Sequence, residues 1–495
     1  MRYIGAIDQG TTSTRFIIFN ERGELVSSHQ LEHKQYFPQP GWVEHDAEEI
    51  WENTKSVMSA ALEKARLKPS QLAGIGITNQ RESVVPVNIR TGQVVSHSIV
   101  WQDLRTSQII SRLKGKMSEE ELRERTGLRF SPYFSAGKII WMLENIPGLA
   151  DSVDRGDVVF MTMDSFLVWK LTGAVVTDVT NASRYMLMDI RKLGWDDTLL
   201  DLCGIRRSAL PEIVPSIGEI YGYAQIEGTK VPVCGILGDQ QAALFGQACF
   251  EPGMAKCTYG TGCFMLVNTG EKLSLSRSGL LSTVAYQKKG EKPCYAIEGS
   301  IAIAGSLVQW TRDSLKMVRD AHELDELASS VPDCGGVYIV PAFSGLFAPH
   351  WRSDARGVIA GLTSFATRAH ICRAVLEATA FQANDIFEAM EKDSSISLSV
   401  LKVDGGLTNS APLMAFQADI LAIPVIRPKI TETTALGAAF AAGLSAGIWQ
   451  NEKNLASYWK EQLRWTPSMD EDTRRQKIAF WRKAVSRTLN WAEEE

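Results

Sequence analysis

No C-x-x-C pair occurs among the eight cysteines of this 495-residue chain. Without paired spacing, neither a zinc knuckle nor a thiol–disulfide centre is encoded. Cys234, Cys257 and Cys372 fall in apolar runs, so buried free thiols in a reducing cytoplasm are expected. Of the seven histidines only His29 and His33 have H-x-x-x-H spacing. That spacing joins two ligands on a helix, whereas residues 26–31 read as strand. Two solvated surface histidines and no zinc site are therefore expected. Positive charge is also scarce. The 52 Lys and Arg stand against 57 Asp and Glu, a net −5, which gives no footprint for nucleic acid or an anionic membrane. The most apolar run, residues 435–449, falls short of the ~20 residues a membrane span needs. Its Ala and Gly content fits a helix packed closely inside a soluble core. Met1-Arg2-Tyr3 leads straight into a strand, so no signal peptide is expected. There is no low-complexity segment and no short-period repeat.

What the chain does have is an ordinary soluble composition, 45% hydrophobic and 22% charged, and a length that favours two or more domains. Residues 4–19 hold two apolar β-rich runs around the polar turn Gly10-Thr11-Thr12-Ser13-Thr14, with Asp8 near the end of the first run. This reads as a hairpin. Its backbone N–H groups and hydroxyls suit phosphate oxygens, and Asp8 sits where Mg²⁺ on those phosphates would need an oxygen ligand. An ordinary hairpin with solvated hydroxyls is the alternative. Residues 254–267 repeat the design around Tyr259-Gly260-Thr261-Gly262. Two such hairpins, half a chain apart, resemble an α/β actin-like ATPase layout. In it, two ribonuclease H-like domains, here 1–250 and 251–495, flank one cleft. The turn Glu251-Pro252-Gly253 marks the boundary.

Between the hairpins, Asp46 caps a helix whose inward positions are Ile50, Trp51, Thr54, Met58, Ala61 and Leu62. Strand 72–78 ends in Asn79-Gln80-Arg81-Glu82, where open α/β sheets place ligands. An Arg–Glu pair tying a loop is the other reading. Thr180-Asn181-Ala182-Ser183-Arg184 is a polar turn without assignable chemistry. Asp239 follows strand 233–238, either as a helix cap or as a general base. Glu298-Gly299-Ser300 leads to a small-residue helix with Gly305 and Gln309. Strand 401–404 ends in Asp404-Gly405-Gly406 before a helix from about Ala411, a candidate adenosine site or a plain strand-to-helix turn. A terminal helix carries Ile478, Phe480, Trp481, Ala484, Val485 and Leu489 towards the core.

In this order, Asp8-Gln9-Gly10-Thr11-Thr12-Ser13, Pro40-Gly41-Trp42-Val43-Glu44-His45, Gly76-Ile77-Thr78-Asn79-Gln80-Arg81-Glu82, Gly238-Asp239-Gln240-Gln241, Tyr259-Gly260-Thr261-Gly262-Cys263-Phe264 and Asp404-Gly405-Gly406 resemble the FGGY carbohydrate kinase family over essentially the whole chain. Within it they resemble the branch that phosphorylates glycerol. The resemblance implies glycerol held by Arg81, Glu82, Tyr133, Asp239 and Gln240, with Trp101 and Phe264 on its carbon face. It implies ATP contacts from Thr11, Thr12, Ser13, Arg15, Thr261, Gly305, Gln309 and Gly406 and Mg²⁺ at Asp8; Asp239, a carboxylate at a strand end between the halves, is expected to be the general base. It also implies a cytoplasmic homo-oligomer, dimer or tetramer. Three positions depart from the family pattern. Asp103 stands where many relatives have Cys, a change also seen in pentulose kinases. Phe347 replaces a common glycine. Ser410 stands where a nucleotide-contacting asparagine is common. A pentulose or polyol kinase, and a non-catalytic actin-like nucleotide-binding module, are the competing readings. The stretch Ile226-Glu227-Gly228-Thr229-Lys230 is shorter than the family's fructose 1,6-bisphosphate loop and lacks its arginine, so weak or no inhibition by that effector is expected.

Overall fold

The computed structural model describes residues 2–492. Two mixed sheets organise it, and only their strands are numbered here. The first contains β1 (Tyr3–Gln9), β2 (Ser13–Asn20), β3 (Leu25–Glu32), β4 (Leu72–Asn79), β5 (Ile217–Ile226) and β6 (Thr229–Gly238), in the order β5-β6-β4-β1-β2-β3. β4 runs parallel to both β1 and β6. The second contains β7 (Ala255–Tyr259), β8 (Cys263–Gly270), β9 (Leu281–Tyr286), β10 (Cys294–Ile301), β11 (Leu401–Asp404), β12 (Val425–Pro428) and β13 (Glu461–Trp465), in the order β9-β10-β8-β7-β11-β12-β13. Each sheet starts with a hairpin, β1–β2 or β7–β8. In each, the strand that opens the hairpin then takes a parallel neighbour, β4 or β11. This shared plan is the two-domain actin-like fold.

Both faces of the first sheet are covered, and the strand alternation shows how. Ile7, Phe16 and Ile18 pack with Ile50, Val57 and Met58 of α1 (Ala47–Ala65). Ile4, Ala6, Ile17 and Phe19 point the other way, onto Ala435, Ala438 and Ala439. Asp46 caps α1 by accepting from the N–H groups of Glu48 and Glu49. Trp51, expected inward, is half-buried.

The remaining helices that matter are α2 (Ser135–Asn145), α3 (Asp239–Gly246), α4 (Gly305–Asp313), α5 (Arg368–Ser394), α6 (Ala411–Leu421), α7 (Thr433–Ser445) and α8 (Glu471–Ser486). α7 is the apolar run of the sequence, and it lies on the first sheet and on α3. Its approach is backbone to backbone. A methyl group on Gly437 would run into the Ala242 carbonyl of α3, and one on Gly246 would run into the carbonyl of Thr433. A helix from the second half of the sequence thus packs on the first sheet. Over the second sheet, Phe381 of α5 stacks on Trp481 of α8, with centroids 5.2 Å apart. Phe480 is 46% exposed, not inward as expected; the buried positions of α8 are Ile478, Trp481, Ala484 and Val485. His33 is likewise buried rather than solvated, edge-on to His45 at 4.7 Å. Among the described residues no helix is long and apolar enough to cross a membrane.

Candidate active site

The ends of β4 and β6 and the start of α3 meet at a buried polar floor. Arg81, just past β4, turns its guanidinium fork onto Glu298 of β10, with Nη1 and Nη2 donating to the two carboxylate oxygens at 2.5 and 3.0 Å. Arg81 Nε lies 3.0 Å from Asp239 Oδ1. Glu82 adopts a left-handed backbone, φ +62°, a strained state that tends to persist at functional sites. Its carboxylate accepts from Arg184 Nε at 2.6 Å, and Arg184 Nη2 also donates to Glu298 at 3.2 Å.

Arg184 and Glu298 thus join the floor, and local sequence gave no sign of it. The Glu82–Arg184 and Arg81–Glu298 pairs are 102 and 217 residues apart. Only the polar turn that carries Arg184 and the strand end that carries Glu298 were visible. Burial favours the protonated form of Glu298, but the two guanidiniums beside it prevail and hold its carboxyl down at about 2. For Glu82, burial outweighs the guanidiniums and the carboxyl is pushed up. Arg184 Nη1 is buried without a hydrogen-bond partner among the described residues, a donor left over for a small polar group.

Aromatic walls stand over this floor. Trp101 meets Tyr133 edge-on at 5.6 Å and Phe264, from the second half, at 6.5 Å. The backbone that carries Tyr133 is fixed by Lys138 of α2, whose buried Nζ donates to the carbonyls of Pro132, Tyr133 and Phe134. Burial pushes that amine down to about 7. Asp103 does not enter the pocket. Its carboxylate accepts from the Arg105 side chain and from the Val43 N–H. Arg105 is itself pressed on Trp42, 3.7 Å from its ring centroid. This departure from the family pattern is a structural brace.

The two hairpin turns flank the cleft. Thr11 Oγ1 accepts from Trp101 Nε1 at 3.0 Å, which ties the first turn to the aromatic wall. Behind the turn, Gln80 donates to His45 Nδ1, so the His45 Nε2–H donates to Gln35 Oε1 at 2.7 Å. Gln35 in turn donates to the Thr11 carbonyl at 3.0 Å. Burial pushes His45 down to about 3, which keeps it neutral and able to accept as well as donate. This support for the hairpin was not foreseen. Ser13 is buried and accepts from Gln30, while Thr12 is exposed.

Arg15 lies 3.4 Å from Asp8 and 2.6 Å from Glu432. Asp8 is buried and its carboxyl is pushed up to about 6 by burial, against Arg15 and helped by Glu432 and Asp239. The Asp8 carboxylate offers one oxygen ligand of the kind a divalent cation takes, and among the described residues no cluster of three or more such side chains surrounds it. On the second hairpin, the Thr261 carbonyl accepts from the N–H groups of Ala304 and Ser306, and the Gly260 carbonyl from Gly305. These bonds pin the turn to the start of α4. Thr261 and Gln309 are exposed, as is Gly406 past the end of β11. The Ser410 hydroxyl is committed elsewhere: it donates to Asp325 at 2.7 Å and caps α6.

With this geometry, the comparisons with known proteins decide the family. The model of the FGGY family of carbohydrate kinases, N-terminal domain, matches residues 3–246, and that of its C-terminal domain matches residues 255–446. The chain belongs to the FGGY family of carbohydrate kinases. It is 54% identical over 498 residues to a glycerol kinase of Chloroflexus aurantiacus, covering 99% of this chain and 100% of that one. A crystal structure of Plasmodium falciparum glycerol kinase with ADP superposes with a TM-score of 0.94 at 40% identity, covering 99% and 98% of the two chains. A ligand-bound xylulose kinase from Lactobacillus acidophilus shares the fold, with a TM-score of 0.86 at 21% identity over 99% and 97%.

Proposed function

We propose that this FGGY kinase transfers the γ-phosphoryl group of ATP to a terminal hydroxyl of glycerol, giving glycerol 3-phosphate and ADP. The observation that carries the reading is the floor of Arg81, Glu82 and Asp239 enclosed by Trp101, Tyr133 and Phe264. A three-carbon triol needs hydrogen-bond partners for adjacent hydroxyls and an apolar wall for its carbons. The walls also exclude water that would compete for the phosphoryl group. Gln240 beside Asp239 completes the grip. The cations at the floor are matched by carboxylates, Arg81 by Glu298 and Asp239, and Arg184 by Glu82 and Glu298. Such a pocket suits a neutral polyol and offers no uncompensated cation to an acid or a sugar phosphate.

In the reaction, the Asp239 carboxylate accepts the proton as the substrate O–H bond breaks and the oxygen bonds to the γ-phosphorus; the bond to the bridging oxygen breaks and ADP leaves. Thr11, Thr12, Ser13 and Thr261 hold phosphate oxygens, and Arg15 adds positive charge beside them. Gly305, Gln309, Gly406 and Ser410 line the adenosine side, although the Ser410 hydroxyl is committed to Asp325 and the neighbouring Asn409 Oδ1 accepts from Arg427. Asp8 would hold Mg²⁺, which supplies charge screening on the phosphate oxygens when bound. Eight buried free thiols suit a cytoplasmic setting, and a homo-oligomer is the expected assembly. The test is a panel of polyols and ketoses with Mg-ATP in a coupled ADP assay. Clear preference for xylulose or ribulose over glycerol refutes the reading, and no ADP formation on any of them returns the chain to the class of non-catalytic nucleotide-binding modules.

A further inference from the structure

Lys256 lies on the first strand of the second hairpin, away from its turn, and is wholly buried at the joint between the two halves. Its Nζ donates to Gln240 Oε1, to Thr258 Oγ1 at 3.0 Å and to the Phe264 carbonyl at 3.3 Å. Three acceptors match the three N–H groups of an ammonium. The other end of the Gln240 amide faces the proposed base, with Nε2 donating to Asp239 Oδ2 at 3.2 Å. The Gln240 backbone N–H donates to Asp239 Oδ1 at 2.7 Å.

One amide therefore stands between a donor-only ammonium and an acceptor-only carboxylate, and only one orientation satisfies both. As an ammonium Lys256 has no acceptor, and the contacts match this, the amide oxygen facing Lys256 and the NH₂ facing Asp239. Flipped, the amide would set oxygen against carboxylate and NH₂ against ammonium. We propose that Lys256 is a positioning residue for the phosphoryl transfer: through Gln240 it fixes the lone pairs of the Asp239 carboxylate towards the substrate hydroxyl. The same Nζ holds the carbonyl of the wall residue Phe264 and the strand of the second hairpin, so the base is aligned from the nucleotide side of the cleft. Burial draws the Lys256 amine down, and the carboxylates of Asp404, Asp239 and Glu298 work against it; its hydrogen bonds all go to neutral oxygens.

The inference rests on the proposed glycerol reading, and the tests separate the two. Lys256→Met keeps length but loses the donors. In Mg-ATP assays its kcat should fall at least about 10-fold, part of what a positioned base contributes, while KM for glycerol shifts by less than about 3-fold, since ground-state grip is retained. Gln240→Leu should also lower kcat, and the double variant should be no worse than the worse single one, because both changes cut one relay. Gln240→Glu, which keeps the partner of Lys256 but offers Asp239 no side-chain N–H, should lose kcat as well. It decides the matter should Lys256→Met show no cooperative melt. Multiplying losses in the double variant, a Lys256→Met effect confined to KM, or unchanged kcat in Gln240→Glu each overturn the relay. A wild-type chain that prefers another polyol refutes the glycerol reading alone, and the same variants are then read on that polyol.

Discussion

In the proposed reaction Asp239 is the base that takes the substrate proton. Asp239→Asn keeps size and partial hydrogen bonding but cannot take a proton, so kcat should fall on the order of 10²–10⁴-fold with little change in KM; a coupled ADP assay at saturating substrates reads this. Arg81→Ala should raise KM for glycerol, as loss of ground-state grip does. Because Glu298 then loses the fork that neutralises it, the same variant should also lose about 3–5 kcal/mol of stability, seen as a lower melting temperature. The low pKa of Glu298 sets a pH window. Its carboxyl is near 2 in the folded chain against an ordinary 4.5. Its contribution is therefore complete above about pH 4.5 and is lost as pH falls towards 2. Urea midpoints measured across that range should drop less steeply in Glu298→Gln than in the parent. Arg81, Glu82 and Asp239 were legible in the sequence because each follows the end of a buried strand, a local pattern. Arg184, Glu298 and Lys256 were not, since their partners are distant in sequence and no spacing marks an ion pair across a cleft.

Elements were read more surely than contacts. The hairpins β1–β2 and β7–β8, strand β4 and the start of α6 at Ala411 lie where turn chemistry and periodicity put them. Those signals are local, whereas burial of Phe480 or His33 depends on what packs against them. Ile226 and Thr229 are joined by a two-residue turn, Glu227-Gly228, both at positive φ. So tight a turn, bearing a carboxylate, cannot wrap a bisphosphate. Millimolar fructose 1,6-bisphosphate should leave the initial rate unchanged, and marked inhibition below millimolar would contradict this. The crossing of α3 and α7 is as tight. Gly437→Ala sets a methyl against backbone that has no rotamer to yield, and overpacking of this kind costs about 1–3 kcal/mol or more. A thermal melt should show the loss. Because α3 begins at Asp239, kcat should fall with it.

For the molecule as a whole, charge bookkeeping in the cleft predicts substrate class. A neutral triol should be accepted, and an aldonic acid such as gluconate should be turned over at least about 100-fold less efficiently, since a buried unpaired carboxylate costs several kcal/mol; kcat/KM values from one assay series check it. The fold plan was legible from two hairpins of one design, but the path of the chain between the halves was not. α7 closes a sheet whose last strand ended about two hundred residues earlier. On the ribosome this becomes a matter of time. At about 5–20 residues per second, β6 is finished roughly 10–40 s before α7 emerges. Throughout that interval Ile4, Ala6, Ile17 and Phe19 face water or a chaperone. A nascent chain stalled near residue 250 should therefore be protease-sensitive and held by chaperones, and the first half made alone should aggregate unless the second is supplied with it.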